Sequence, residues 1–446
     1  MLRVASSPLL HRHCHSYRLL PQPRCPFCCA ATLDPLPSSR RVLVISGPTA
    51  VGKSSVALEI AKRLNGEIIS ADSVQVYEGL DVGSAKTPFE DRQGIPHHLI
   101  DVTRPEEDYC VGDYFRDSRE ATDKVLAKRG VPILVGGTGM YLRWYLYGRP
   151  DAPKSTPELR AWVQEEIAKA GGDWDKAVSM VVDAGDKDAR KLLRNDWYRL
   201  VRRFEVLKAS GTPRGSKSLL YSELEDESED HPPQKRIYRA IDDLDYEFVC
   251  FFLYSSRKRL YDHIDQRCEE MLTGNFGLLK EASWLLDKGI LANTSPASRA
   301  IGYRQAMEYL ARCREADGVS SPEQFIRFVE DFQKASRNFA KRQLTWFRQE
   351  PLYHWIDVSK QQEAVIDFII KAYYDPNIIV SEASKGILID KKSTVDKKNK
   401  LRDYMPQRKV FVTAEDCSEI LDWISKTQRR KADGSLHGKT QDEREG

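Results

Sequence analysis

An α/β fold built on a doubly wound parallel sheet is predicted by three features of the sequence. Val42-Leu43-Val44-Ile45 and the run from Val131 to Val135 are short and wholly apolar, as strands buried on both faces must be. Between them, Val56, Ala57, Ile60, Ala61 and Leu64 recur at helical spacing. Joining the first run to that helix, Gly47-Pro48-Thr49-Ala50-Val51-Gly52-Lys53-Ser54 matches G-x-x-x-x-G-K-[ST] without a gap. A loop in that position cradles phosphate, because the free N–H groups and dipole at a helix N-terminus attract anions. The expected core is therefore P-loop NTPase-like, and its chemistry begins with a di- or triphosphate.

The elements follow in order. From Arg41 to about Pro150 the pattern alternates: strand Val42–Ser46, helix Lys53–Leu64, strand Glu67–Ser70, strand Val131–Val135. Residues 151–190 open with Pro153 and Pro157 and continue in charged helical segments broken at Gly171-Gly172 and Gly185, which reads as an inserted helical subdomain. The run of acids and serines at 222–230 is too polar to pack and reads as a solvated loop. Phe248–Leu253 returns as a buried strand, and helices carry the core's second part, 191–350, to about Arg348. Residues 351–446 form a C-terminal extension with a lysine-rich stretch from Lys391 to Lys400 and a polar tail after Thr427.

Composition narrows the function classes. The 446 residues suffice for two or three domains, and the net charge of +3 conceals separate basic and acidic runs. No apolar stretch reaches the roughly 18 residues that a membrane span needs. The nine cysteines make no disulfide framework, a pattern of reducing compartments. Residues 1–40 are rich in arginine and serine, with no acid before Asp34, and are expected to be an organellar transit peptide directing the chain to plastid or mitochondrion rather than leaving it in the cytoplasm. The competing reading, a metal knuckle of Cys25, Cys28 and Cys29 with His11, His13 and His15, lacks a second matched pair of ligands.

A kinase or ATPase normally adds an apolar strand ending in Asp to hold magnesium. Here Val131–Val135 runs into Gly136-Gly137-Thr138-Gly139, and Leu99-Ile100-Asp101 has only two apolar residues. The pattern favours phosphate binding without demanding phosphoryl transfer. Asp72 ends the second strand beside the phosphate loop, where a carboxylate can accept a proton from a nucleophile. A turn or helix cap is its bland alternative. On a helical wheel, Phe332, Ala335, Phe339 and Trp346 oppose Lys334, Arg337, Lys341 and Arg348, giving a packing face and a cationic ridge. Such a ridge suits nucleic-acid phosphates or is simply solvated. Arg199, Arg202 and Arg203 beside Trp197 and Tyr198 add charge and rings able to stack bases, although packing serves Trp197 equally well.

These segments together resemble the tRNA dimethylallyltransferase (tRNA isopentenyltransferase) family. The likeness rests on Gly47–Ser54, Ile69–Tyr77, Asp81–Lys86, Pro96–Asp101, Gly136–Tyr141, Asn195-Asp196 with Arg199 and Arg202, Ala300–Gln305 and Ser336–Arg348. It covers about 41–350 in order, and the chain looks most like the plant tRNA-type enzymes. The resemblance implies transfer of a prenyl group from dimethylallyl diphosphate to N6 of the adenosine next to the anticodon, a source of cis-zeatin-type cytokinins. It implies a magnesium cofactor held by Ser54, with Gly47, Pro48, Thr49, Ala50, Val51, Gly52, Lys53 and Ser54 gripping the diphosphate. Lys53, Ser54, Thr138 and Arg304 would contact the leaving group, and Asp72 would take the N6 proton. Asp72, Ser73, Gln75, Arg199, Arg202, Arg337, Lys341, Arg342, Gln343 and Arg348 would face tRNA, and the chain would act as a monomer without a membrane. The chain departs from the pattern at Arg203-Phe204, where Ala-Leu is usual. It also lacks the ligands for the zinc finger that ends some eukaryotic members, since beyond residue 350 it offers only Cys417, His354 and His437. The nearest alternative is an adenylate isopentenyltransferase acting on free AMP, ADP or ATP, which should lack the basic helix Ser336–Arg348. A P-loop kinase and a non-catalytic RNA-binding module stand further off.

Overall fold

The computed structural model of the chain describes residues 40–149, 153, 155–211, 246–359, 361–381, 386–394, 404–406 and 408–429. The leader, the Cys25-Cys28-Cys29 knuckle, the acidic run at 222–230 and the end of the polar tail lie outside the described residues.

The expected parallel sheet is present. Strands β1 (Arg41–Ser46), β2 (Gly66–Ala71), β3 (His97–His98), β4 (Val131–Gly136), β5 (Glu247–Tyr254) and β6 (His354–Asp357) lie in the order β3-β2-β4-β1-β5-β6, every pair parallel. All six residues of β1 and of β4 are buried, so both faces of the sheet centre are covered and the apolar runs are explained. Helices α1 (Lys53–Leu64), α2 (Val111–Ala127) and α3 (Gly139–Tyr147) connect the first strands, and α1 buries the residues its spacing marked: Val56, Ala57, Ile60, Ala61 and Leu64. Because β1, β2 and β4 run the same way, their carboxyl ends, at Ser46, Ala71 and Gly136, come together.

Helices α4 (Pro157–Ala168), α5 (Trp174–Asp183) and α6 (Trp197–Ser210) form a small core of their own. Val163, Ile167, Trp174, Val181, Leu200 and Phe204 are buried there, and Trp174 meets Trp197 edge-on at 5.1 Å. Residue 190, where sequence reasoning ended the helical subdomain, falls inside this cluster. Leu200, Phe204 and Leu207 of α6 pack on α4 and α5, which a boundary drawn from composition could not reveal.

After β5, the helices α7 (Arg257–Glu270), α8 (Gly277–Asp287), α9 (Pro296–Arg299), α10 (Tyr303–Glu315) and α11 (Pro322–Gln349) return the chain to the sheet. Helix α11 begins on a capping box: Ser321 Oγ accepts from Gln324 N at 3.3 Å, Gln324 Oε1 accepts from Ser321 N at 2.9 Å, and Pro322 occupies the first turn. The extension is partly built into the core. Strand β6 pairs with β5, α12 (Gln362–Tyr374) buries Val365, Ile366 and Ile369, and α13 (Ser418–Thr427) buries Ile420 and Ile424.

Candidate active site at the carboxyl end of the sheet

A cleft of about 640 Å3 opens where the phosphate loop, the turn after β2 and the Gly136-Gly137 turn meet. The phosphate loop enters α1 through left-handed backbone at Ala50 (φ 63°) and Gly52 (φ 94°), a conformation that glycine adopts without steric cost. Gln343 of α11 fastens this loop. Its Oε1 accepts from Thr49 N at 2.9 Å while its Nε2 donates to Gly137 O at 3.0 Å. A Cβ at Gly137 would stand 2.3 Å from that nitrogen, so any larger residue would push the Gln343 amide away.

Lys53 is half-buried and donates to Gly47 O at 3.0 Å and Pro48 O at 2.9 Å. Burial, then the positive charge of Arg267, push its pKa down to about 8, against the opposing pull of Asp72. Arg267 of α7 donates to Thr49 Oγ1 at 3.3 Å, and burial lowers its pKa from the ordinary value. Neither cation has a carboxylate in ion-pair contact among the described residues. Two desolvated, carboxylate-free cations beside backbone N–H groups make a site for a multiply charged anion. Sequence reasoning missed Arg267. Its signal was His263, Gln266, Arg267 and Glu270 at helical spacing, all lining the cleft, on the face flanking the buried Leu260, Ile264 and Cys268.

Asp72 also lines the cleft. Its Oδ1 accepts from Val74 N at 2.8 Å and Gln75 N at 3.4 Å, so the turn reading is correct for one oxygen. Oδ2 receives no hydrogen bond among the described residues, which leaves it open to a proton. The turn role thus occupies Oδ1, and Oδ2 is the oxygen that a proton-accepting role would use. Ile68, Ile100, Val135 and Phe339 give the same cleft an apolar lining.

Several expected contacts are placed differently. Thr138 does not line the cleft: its Oγ1 accepts from Ser73 N at 3.1 Å, locking the turn that carries Asp72. Arg304 is also outside the lining, at the start of α10, with its Nε buried and unpartnered among the described residues. Gln75 is held by Ser70 Oγ at 2.9 Å and donates to Ser84 O and Ala85 O at 3.2 Å, so, like Gln343, it braces protein. The cationic ridge on α11 is split. Lys334, Lys341 and Arg342 are exposed, but Arg337 pairs with Asp265 and Arg348 donates to Thr394 O at 2.9 Å. Phe339, assigned by the wheel to the packing face, is half-buried at the cleft, with Arg342 over its ring at 5.9 Å. In the helical subdomain, Arg202 bonds Glu205 at 2.8 Å and Pro153 O at 3.0 Å, whereas Arg199 stays exposed beside Asp196 at 3.4 Å. Periodicity locates these arginines on a face, but partners from distant sequence decide which remain free.

The fold and cleft define a P-loop α/β protein with a desolvated anion site and a carboxylate in one pocket, the make-up of a group-transfer enzyme. A family model described as IPP transferase matches residues 75–350, and one described as isopentenyl transferase matches residues 40–105. The chain is 47% identical to tRNA dimethylallyltransferase 9 of Arabidopsis thaliana, over 94% of this chain and 96% of that one. It is 38% identical to the tRNA dimethylallyltransferase of Protochlamydia amoebophila, over 75% of this chain and 90% of that one. The chain thus belongs to the tRNA dimethylallyltransferase family. Among solved structures, the full-length tRNA isopentenylpyrophosphate transferase of Bacillus halodurans superposes with a TM-score of 0.50 at 29% identity, covering 77% of this chain and 99% of that one. A eukaryotic dimethylallyltransferase acting on tRNA shares the fold, with a TM-score of 0.52 at 21% identity, covering 89% and 91%.

Proposed function

We propose that this chain transfers the dimethylallyl group from dimethylallyl diphosphate to N6 of the adenosine next to the anticodon of tRNA, releasing diphosphate. The observation that carries the reading is the pairing, in one cleft, of the Lys53–Arg267 anion site with the open Oδ2 of Asp72. The phosphate loop and the two cations stabilise the charge that builds on diphosphate as the allylic C–O bond breaks. The N6 lone pair forms the new C–N bond, and the displaced N6 proton passes to Asp72 Oδ2. Ile68, Ile100, Val135 and Phe339 provide apolar surface suited to a prenyl chain. The adenine must leave its stack to reach the cleft, as in other base-modifying enzymes.

Magnesium fits this site on the chemistry of its donors. Ser54 lines the cleft with no side-chain hydrogen bond among the described residues, and no group of three metal-ligating side chains stands there, so an ion would rely on Ser54, diphosphate oxygens and water. Bound there, it supplies further neutralisation of the leaving group.

The exposed Lys334, Lys341 and Arg342 on α11 support tRNA over a free nucleotide as acceptor. Purified protein with labelled dimethylallyl diphosphate and magnesium is expected to label an unmodified tRNA bearing adenosines 3′ of its anticodon. Labelling of AMP alone would replace this reading with the adenylate enzyme. The arginine- and serine-rich leader supports delivery to plastid or mitochondrion, which a fluorescent fusion of residues 1–40 tests, a diffuse cytosolic signal counting against it.

A further inference from the structure

The cleft helix α7 is gripped from behind by the C-terminal extension. Glu269, fully buried, accepts hydrogen bonds from three successive backbone N–H groups: Lys409 at 3.0 Å, Val410 at 2.6 Å and Phe411 at 3.1 Å. Gln333 Nε2 of α11 adds a fourth donor at 3.2 Å. One turn earlier, Asp265 accepts from Tyr404 Oη at 2.6 Å and pairs with Arg337. Lys409 Nζ reaches Gln266 Oε1 at 2.8 Å, and Gln266 itself lines the cleft. Phe411 is buried edge-on against Phe325 of α11 at 5.0 Å, fixing the turn to the core. Tyr404 and the turn Lys409–Phe411 lie beyond residue 350, where the family model stops. The carboxylates they satisfy lie within it, two residues to either side of Arg267 along the same helix.

A buried carboxylate with its lone pairs met by a concave row of N–H groups fixes a helix in rotation and height more tightly than apolar packing does. Arg267 lies two residues before Glu269 in the same turn, so any slip at Glu269 moves the guanidinium relative to Thr49. We propose that Glu269 is a positioning residue: through it the turn Lys409–Phe411, and through Asp265 one turn earlier Tyr404, hold α7 so that Arg267 meets the diphosphate at the phosphate loop. The inference rests on the reading that the cleft takes diphosphate, and it gives the extension a task in forming the site.

The test is calorimetric titration of the full chain with inorganic diphosphate and magnesium, alongside steady-state kinetics. Glu269→Gln keeps the shape of the side chain and removes its charge. It is expected to weaken diphosphate binding and raise KM for dimethylallyl diphosphate about tenfold, with tRNA affinity unchanged. Arg267→Ala is expected to absorb the effect, so that adding Glu269→Gln to it changes diphosphate affinity less than about twofold; full additivity overturns the proposal. Wild-type diphosphate affinity in a folded Glu269→Gln protein overturns it as well. Where Glu269→Gln does not fold, Tyr404→Phe carries the test, with a smaller loss in the same direction expected and wild-type affinity overturning the role. Wild-type protein that binds no diphosphate overturns the reading of the cleft itself and this inference with it, a result distinct from an unaltered variant.

Discussion

The cleft and the helical subdomain treat their arginines and lysines in opposite ways. In the subdomain, Arg203 makes two bonds to the fully buried Asp186, at 2.6 and 2.5 Å, and Arg202 pairs with Glu205. In the cleft, Lys53 and Arg267 are desolvated with only carbonyl and hydroxyl acceptors. A cation paired inside a fold satisfies an internal carboxylate. A cation left with neutral acceptors is held ready for a charge that arrives from outside. The difference separates residues that build the protein from those that work on a ligand, although all look alike as basic residues in the sequence.

The largest expected effect falls on Asp72, which belongs to both groups. Asp72→Asn retains an oxygen for the turn but cannot take a proton, so kcat should fall about 10²- to 10⁴-fold with tRNA affinity intact. Near-normal turnover by the asparagine variant would reduce Asp72 to a turn residue.

Next is the subdomain pair. Arg203→Ala leaves Asp186 buried without its cation and should cost about 3 kcal/mol in denaturant unfolding, with kcat at saturating tRNA unchanged. Loss of turnover at full stability would move Arg203 into the working group.

The poise of Lys53 is tested by pH. Its pKa in the free protein is pushed down to about 8, so the ammonium proposed to bind diphosphate is present below that value and lost above it. One unit above the pKa about one tenth stays protonated, so kcat/KM for dimethylallyl diphosphate should fall severalfold, approaching about tenfold, from pH 7 to 9. A profile flat through pH 9 would mean that Lys53 keeps its charge.

The smallest effect concerns α11. Replacing the exposed Lys334 and Lys341 with alanine should weaken tRNA binding a few-fold and flatten its salt dependence by about one unit for each phosphate no longer neutralised. Arg337→Ala, by contrast, should act on stability through Asp265. An unchanged salt slope in the double lysine variant would point tRNA elsewhere.

Much of the sheet and of the anion site is legible in the amino-acid sequence. Wholly apolar runs and a gapless phosphate loop are local patterns, and local patterns dictate strands, helix entry and the position of Lys53, Ser54 and Asp72 at strand ends. The first part of the core alone, from Arg41 to Pro150, carries the phosphate-loop motif and the strand ends beside it. Tertiary structure alone decided the partners. Arg267 enters the cleft from a helix far along the chain from the phosphate loop, Gln343 turns inward to fasten that loop, and Arg337 and Arg348 are drawn off the ridge by Asp265 and Thr394. The physical reason is that periodicity reports which way a side chain faces along its own element, whereas its charge is free or bound according to what another element brings within hydrogen-bond reach.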